Sequence, residues 1–284
     1  MAGNSATPRW RAIGKSRRGA THQRTGLPNQ DALWLPEATL EWPLILAVAD
    51  GHGSSKSFRS DRGAQLAVVT AQTVCRHVPG NPQELTQLSA VKRWAEDRLS
   101  HEMVRCWREA VNEDIAAHLF TADETDLGGS ADQANLHPYL AYGATLLVVV
   151  VTAAFILYWQ LGDGDILTVA DDGKVSRPLP RDERLFANET TSLCAEQAWR
   201  DVRTAFQVLA GTPPALILAA SDGYANSYGD EAGFLQVGRD LLTLIRENGL
   251  EYVDANLATW LDEVSRQGSG DDVTLGILCR RDVV

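Results

Sequence analysis

The sequence is poor in cysteine, and its few cysteines lie far apart. Cys75, Cys106, Cys194 and Cys279 form no C-x-x-C pair. A structural zinc site or a disulfide framework is therefore not expected, because both need closely organised thiols. We expect free thiols in a reducing compartment and predict a cytoplasmic protein, since no early apolar segment resembles a secretory signal.

The sequence also lacks an excess of positive charge. Its formal net charge is −11 at pH 7 over 284 residues, which argues against general binding of nucleic acid. The charge is uneven, because residues 1–30 carry six basic side chains and no acidic one. Two interpretations of this basic segment remain open: a solvated tail, or a strand that holds an anionic substrate beside an acidic metal site.

One long segment, Pro138 to Gly162, contains no charged residue. Its length would suit a transmembrane helix, but its β-branched composition, including the run from Val148 to Val151, favours strands. A break at Thr152 to Ala154 would give two strands of about eight residues each. We therefore predict two strands and no membrane span, and the membrane helix remains the alternative.

Apolar periodicity divides the rest of the chain into strands and helices. Strands are predicted at Trp10 to Ile13, Ala32 to Leu35, Trp42 to Ala49, Pro214 to Ala220 and directly after Asp272. Helices are predicted at Ser60 to His77, Pro82 to Leu119, Ser192 to Leu209, Glu231 to Asn248 and Glu251 to Arg266. Gly14 to Asn29 and Thr121 to Pro138 are predicted as linkers without regular structure.

The order of these elements predicts the fold class. Strands that cluster without strict βαβ alternation indicate an α+β layered fold of antiparallel sheets covered by helices. The chain has no low-complexity block or obvious linker, so we expect one domain over residues 1–284, with residues 1–8 flexible.

Four acidic turns each adjoin a predicted strand. Asp50 and Asp222 directly follow apolar strands, Asp163 lies in a glycine-rich turn, and Asp271 precedes the last strand. The end of one antiparallel strand lies beside the start of its neighbour, so these carboxylates can share one edge of the fold. Carboxylate oxygens suit hard cations such as Mg²⁺ or Mn²⁺. A single Asp-Gly turn carries little weight, because most are ordinary surface turns.

Seven short motifs follow one another along the chain between about Gly14 and Leu278. They are GxxH…PNQDA (Gly19 to Ala32), VADGHG (Val48 to Gly53), YGATLLVVV (Tyr142 to Val150), LGDGD (Leu161 to Asp165), FANETTSL (Phe186 to Leu193), AASDGY (Ala219 to Tyr224) and GDDVTL (Gly270 to Leu275). This ordered set resembles the metal-dependent serine/threonine protein phosphatases of type 2C, the PPM family. The Gln-Asp pair and the FANET stretch look most like the bacterial branch.

The resemblance implies a four-layer α-β-β-α sandwich with two central antiparallel sheets. It also implies a dinuclear Mn²⁺ or Mg²⁺ site at one end of the paired sheets. Asp50 would bridge both metals, and the Gly51 carbonyl would complete one of them. Asp222 and Asp271 would hold the other metal, and Asp163 would hold a third, weaker ion.

Two further roles follow from the same resemblance. Asp31 would bind a metal directly or lie just behind the ligands, where it would order metal-bound water. His52 matches the histidine proposed as the general acid in the family. The implied reaction is hydrolysis of phosphoserine and phosphothreonine by a metal-bridged water, on a protein substrate of a serine/threonine kinase.

The chain departs from the family pattern at three places. Gln30 replaces a glutamate that many members carry before the first aspartate. Gly26 stands where many members have an arginine that binds the substrate phosphate, and Arg24 would substitute for it, with Arg17 and Arg18 as alternatives.

The third departure is the Asp271-Asp272 pair, where the family often has Asp-Asn. Either residue could then be the ligand, and we choose Asp271.

Two other functions compete with a protein phosphatase. A phosphatase-like regulatory or binding module would need no catalysis, although the presence of Asp50 and Asp222 argues against it. A hydrolase of small phosphate monoesters would use the same chemistry, because specificity depends on the surrounding surfaces. Nothing in the sequence identifies the substrate.

Overall fold

Two antiparallel β-sheets form the centre of the protein. The computed structural model describes residues 10–36, 42–78, 88–127, 136–182 and 190–283. The strands are β1 Trp10–Arg17, β2 Asp31–Trp34, β3 Leu44–Asp50, β4 Leu146–Val151, β5 Phe155–Leu161, β6 Asp165–Val169, β7 Val175–Ser176, β8 Arg203–Val208, β9 Leu216–Ala220 and β10 Val273–Arg280. One sheet has the order β1-β10-β9-β6-β7, and the other has the order β2-β3-β4-β5-β8.

Helices cover the outer faces of both sheets. They are α1 Ala20–Thr25, α2 Ser60–Cys75, α3 Leu88–Asp97, α4 Leu99–Ala117, α5 Ala122–Leu127, α6 Asp222–Ala225, α7 Glu231–Asn248 and α8 Leu250–Gln267. The helices α2 and α4 share an apolar cluster with the sheet that contains β3. The helices α7 and α8 share another cluster with the sheet that contains β10.

A third apolar cluster lies between the two sheets. Along β3, Leu46 and Val48 belong to this inner layer, whereas Ala47 and Ala49 belong to the layer beneath α2. This alternation follows from the two-residue period of a strand, which points successive side chains to opposite faces. The arrangement is therefore an α+β fold with α-β-β-α layers, as predicted.

The uncharged segment predicted as two strands forms the β4–β5 hairpin. Val151 pairs with Ile156 next to the turn, and the Thr152 hydroxyl accepts from the backbone N–H of Phe155 at 3.0 Å. Both strands are fully buried, because one face packs on helices and the other on the opposite sheet. In the part of the chain that the structure describes, no helix is long and apolar enough to cross a membrane.

Three of the six basic side chains in residues 1–30 fit neither of the two interpretations left open by the sequence, because they lie on β1 and form ion pairs with the acidic face of α8. The pairs are Arg11–Glu251 at 2.6 Å, Lys15–Asp254 at 2.7 Å and Arg17–Asp262 at 2.7 Å. Half of the basic side chains in residues 1–30 are thus paired with acidic side chains of α8.

The long helix predicted from Pro82 to Leu119 is wrong as a single element. Residues 82–87 lie outside the described residues, and the remainder forms α3 and α4. Arg98 leaves the helical conformation, with φ −122° and ψ −34°. The apolar spacing continues through this break because Leu99 is fully buried at the start of α4. No glycine or proline lies at the break, so the apolar spacing alone predicted one continuous helix.

The helix predicted from Ser192 to Leu209 is also wrong. This segment contains only a short 3₁₀ turn, Ala198–Arg200, followed by strand β8. The strand β8 pairs with the outer edge of β5, and the Phe206 ring stacks on Phe155 with centroids 4.6 Å apart. Pairing with an available sheet edge outweighs the helical spacing of the apolar residues.

The two predicted linkers contain regular structure. Gly14 to Asn29 includes the second half of β1 and the helix α1, and Thr121 to Pro138 includes α5. Residues 128–135 and the N-terminal residues 1–8 lie outside the described residues. By contrast, α7 has the predicted bounds, and Gly249 ends it with φ 88°.

One glycine allows close packing between the sheets. A Cβ on Gly276 would lie 2.4 Å from Leu46 Cδ1. Overpacking of this kind costs about 1–3 kcal/mol, so Gly276→Ala should lower the free energy of unfolding by about 2 kcal/mol. Gly211→Ala is the matched control, because nothing lies within 4 Å of a Cβ there. Equal denaturation midpoints for the two variants would contradict this packing.

Candidate active site

The turns at one edge of the two sheets bring five aspartates into one region. Asp31 at the start of β2 pairs directly with Asp50 at the end of β3. Asp222 follows β9 and Asp271 precedes β10, and these two strands are antiparallel neighbours. Asp163 lies in the turn between β5 and β6. The structure therefore gathers the acidic turns that the sequence predicted to share an edge.

Backbone hydrogen bonds hold Asp50 at the end of β3. Its N–H donates to Thr145 Oγ1 at 3.1 Å, and its carbonyl accepts from the Thr145 N–H at 2.8 Å. The next residue, Gly51, donates its N–H to the Gln30 carbonyl at 3.1 Å. These contacts fix Asp50 and Gly51, two of the residues that the resemblance assigns to the metals.

Asp222 is the first residue of the short helix α6. A Cβ on the following residue, Gly223, would lie 2.2 Å from the Asp272 carbonyl oxygen and 3.2 Å from Asp271 Cβ. Only glycine therefore allows this turn to touch the turn before β10. The Asp-Gly pair brings Asp222 towards the other acidic residues through this close approach.

Burial and mutual repulsion raise the pKa values of the central carboxyl groups. Burial is the largest cause of the raised pKa of Asp50, followed by the charges of Asp31 and Asp222. The pKa of Asp31 rises from 3.8 to about 8, again mainly through burial. A bound cation would relieve this repulsion and favour the ionised forms.

One buried carboxylate oxygen in the cluster has no hydrogen-bond partner within the described ranges of the chain. Asp31 Oδ2 accepts from the Ser221 hydroxyl at 2.7 Å, whereas Asp31 Oδ1 is buried and unpartnered. Burying an unsatisfied polar atom is unfavourable, and a cation or its water would satisfy this oxygen. The surrounding ligands are oxygen atoms, which suit Mg²⁺ or Mn²⁺. The residues present therefore fit such a site.

The two neighbouring acids before β10 have different surroundings. The Asp272 carboxylate accepts from the N–H groups of Gly19 at 2.5 Å and Gln30 at 2.6 Å, and His22 Nδ1 lies 2.9 Å from it. Asp271 is exposed and acts on the pKa of Asp50. Ligand atoms of His22, Asp271 and Asp272 lie within 4.8 Å of one another, but both Asp272 oxygens already have donors. This favours Asp271 as the ligand.

His52 lies close to Asp163 at the rim of the cluster. Burial lowers the pKa of His52, and the charge of Asp163 partly opposes this effect. Burial also raises the pKa of Asp163, to which the charge of Asp222 adds. The His52 backbone N–H donates to the Gly143 carbonyl at 3.0 Å. His52 thus lies beside the aspartate cluster.

The three candidate arginines have other partners in the structure. Arg24 is exposed on α1, where its Nη2 donates to Thr21 Oγ1 at 3.1 Å. Arg17 forms a two-bond ion pair with Asp262 at 2.7 and 2.8 Å. Arg18 donates to the His22 carbonyl at 2.8 Å. Arg24 makes the weakest of these contacts and keeps most of its donors available.

Sequence reasoning missed several residues that support the aspartates. Ser221 bonds to Asp31 and also accepts from the Thr274 N–H at 3.0 Å. Thr145 holds Asp50, and His22 contacts Asp272. All of them lie inside the motifs, so their positions were visible, but their long-range partners were not.

The raised pKa values predict how pH affects the metal-free protein. A carboxyl group whose folded pKa exceeds its unfolded value binds more protons in the folded state, so its contribution to stability falls as pH rises. Relative to the Asp31→Asn variant, the melting temperature of the wild type in EDTA should therefore fall between about pH 4 and pH 8, the span of the Asp31 shift. Saturating Mn²⁺ should remove this fall. A wild-type melting temperature that rises relative to that of Asp31→Asn over the same range would contradict the prediction.

Comparison with known proteins identifies the family of the chain. A family model described as protein phosphatase 2C matches residues 18–262. No curated protein sequence matches the chain.

Solved structures share its fold. PppA, a key regulatory component of T6SS in Pseudomonas aeruginosa, is 18% identical and covers 96% of this chain and 99% of its own, with a TM-score of 0.60. The serine/threonine phosphatase Stp1 from Staphylococcus aureus is 12% identical, with 98% and 99% covered and a TM-score of 0.60. The catalytic domain of the serine/threonine protein phosphatase PstP, solved with two manganese ions, is 19% identical, with 96% and 99% covered and a TM-score of 0.58.

Proposed function

The chain belongs to the protein phosphatase 2C family and is a protein serine/threonine phosphatase, and we propose that two divalent cations in the aspartate cluster drive its reaction. The observation that carries this proposal is the convergence of Asp31, Asp50 and Asp222, with raised pKa values for Asp31 and Asp50. Such a cluster is unfavourable by itself and favourable around cations. The two manganese ions bound to PstP support the same choice of metal.

The proposed metal ligands are those that the family resemblance implies, and the position of their side chains in the cluster supports them. Asp50 and the Gly51 carbonyl would hold one cation, with Asp50 shared by the second, and Asp222 and Asp271 would complete that second site. Asp163 would hold a third, weaker ion. When bound, two such cations supply an activated water and neutralise the non-bridging oxygens of the phosphate.

The chain's own residues supply the remaining functions. Asp31, fixed by the Ser221 hydroxyl at 2.7 Å, would orient water beside the cluster with its unpartnered oxygen. His52 would protonate the leaving oxygen of the serine or threonine side chain. Arg24 would contact the phosphate from the exposed face of α1. The substrate would be a phosphorylated protein, the product of a serine/threonine kinase.

The direct test is release of phosphate from a phosphothreonine peptide. We expect turnover with Mn²⁺, none with EDTA, and none for Asp222→Asn with Mn²⁺. Recovery after Mn²⁺ is added back would show that chelation removed the metal without unfolding the chain. Turnover that persists in EDTA would contradict the proposal. Binding of Mn²⁺ without any turnover would instead favour a regulatory module.

A further inference from the structure

A pocket of about 250 Å³ opens directly beside the aspartate cluster. Asp163 and Asp222 line the side nearest the proposed metals, and Arg177, Arg181 and Arg203 also line the pocket. None of these arginines belongs to the motifs that carry the family resemblance. We call this space the arginine pocket.

Arg177 is held by several contacts, yet in the described part of the chain one of its nitrogens has no acceptor. Its Nε donates to Asp165 Oδ1 at 2.6 Å, and its Nη1 pairs with Glu231. Its guanidinium carbon lies 5.8 Å from the centre of the Phe234 ring. The side chain is only 11% exposed, and its Nη2 is buried without a hydrogen-bond partner among the residues that the structure describes. A buried, fixed donor of this kind is unfavourable until a ligand accepts from it.

Arg181 gives the pocket a second, more accessible donor group. Its side chain is 58% exposed, and its Nη1 lies 3.7 Å from Glu231, which is a long and weak ion pair. Arg203 is better satisfied, because it bonds to the Pro180 carbonyl and lies 3.8 Å from Asp182. The donors left for a ligand therefore come mainly from Arg177 and Arg181.

The chemistry of these donors selects the ligand. A guanidinium stays charged at any physiological pH and matches the paired oxygens of a carboxylate or phosphate. Asp165 is already used by Arg177, and Asp163 and Asp222 face the proposed cations. An oxyanion is thus the ligand that would satisfy the free Arg177 nitrogen.

We propose that the arginine pocket binds an oxyanion of the substrate that flanks the phosphorylated residue. The inference rests on the proposed function and adds a substrate preference to it. The contact lies next to the proposed reaction site, because Arg177 and Arg181 line the same pocket as Asp163 and Asp222. The oxyanion is therefore an acidic side chain, or a second phosphorylated one, one or two positions from the phosphothreonine.

The experiment compares matched phosphothreonine peptides. Each carries Asp, Asn or phosphoserine at one of the two positions on either side, and p-nitrophenyl phosphate measures activity without a flanking group. At one position or more, the wild-type kcat/KM should be about tenfold higher for Asp or phosphoserine than for Asn, the effect of one charge-assisted hydrogen bond. The stronger of the two anions identifies the source of the oxyanion.

Variants then assign the preference to the pocket. Arg177→Gln and Arg181→Gln should each reduce the preference while p-nitrophenyl phosphate turnover stays within about twofold of wild type. Arg181→Gln decides the matter if Arg177→Gln fails to fold, because Arg181 is on the surface. Arg246→Gln is the control, since Arg246 is similarly exposed and lies 3.8 Å from its partner Asp171. It should leave the preference unchanged.

Two results would overturn the inference and leave the phosphatase proposal intact. One is equal kcat/KM for all peptides in the wild type, and the other is a preference that survives the arginine substitutions. If no substrate is hydrolysed, including p-nitrophenyl phosphate, then the proposed function fails and the arginine pocket inference fails with it.

Discussion

Replacing Asp50 by asparagine is expected to reduce kcat for a phosphothreonine peptide by about 10³-fold, the scale for loss of one electrostatic contact in the transition state. Asp50 is the carboxylate that feels the charges of Asp31, Asp222 and Asp271 together. Asparagine keeps its shape but removes the charge that would hold the cations. Steady-state phosphate release with saturating Mn²⁺ measures the effect.

The same substitution should have the opposite effect on the stability of the metal-free protein. Burial and repulsion raise the pKa of Asp50, so its ionised form destabilises the fold at neutral pH. Asp50→Asn should therefore melt at a higher temperature than wild type in EDTA. Asp172→Asn, in the exposed β6–β7 turn, should change neither property. An Asp50→Asn enzyme within tenfold of wild type would contradict the assigned role.

Replacing His52 by glutamine is expected to reduce kcat for phosphothreonine peptides by about 10²–10⁴-fold, the usual contribution of a general acid. The leaving alkoxide of threonine needs a proton, and glutamine cannot supply one. Hydrolysis of p-nitrophenyl phosphate should fall much less, because nitrophenolate is a stable leaving group. The ratio of the two losses separates proton donation from a general disturbance of the site.

The pH dependence gives a second readout for the same residue. Burial lowers the pKa of His52, so its protonated form should be lost as pH rises through that lowered value. The kcat for the peptide should fall over this range in the wild type, and His52→Gln should lack this fall. Equal losses on both substrates, with an unchanged pH profile, would show that His52 has only a structural role.

The sequence was most informative where structure depends on neighbouring residues. The turns at Asp50 and Asp222 were predictable because an apolar strand ends abruptly at an Asp-Gly pair. The β4–β5 hairpin was predictable because β-branched residues surround a short break. The shared edge then followed from antiparallel pairing alone.

The failures occurred where distant residues decide the structure. The strand β8 forms because β5 offers an open edge, and no local pattern in Ser192 to Leu209 indicates this. No glycine or proline lies at the break at Arg98, so the sequence does not indicate that the helix ends there. The hydrogen bond from Ser221 to Asp31 joins residues 190 positions apart. The ion pairs of Arg11, Lys15 and Arg17 with α8 could likewise not be predicted from the sequence, because their acidic partners lie more than 200 residues away.

The aspartate cluster is expected to bind the cations on which the reaction depends. Calorimetric titration of Mn²⁺ into the metal-free protein tests it most directly, without any assumption about substrate. The wild type should bind two ions, with a third weaker site lost in Asp163→Asn, and Asp50→Asn should lose the strong binding. A wild type that binds no Mn²⁺, or an Asp50→Asn protein that binds it equally well, would contradict the claim.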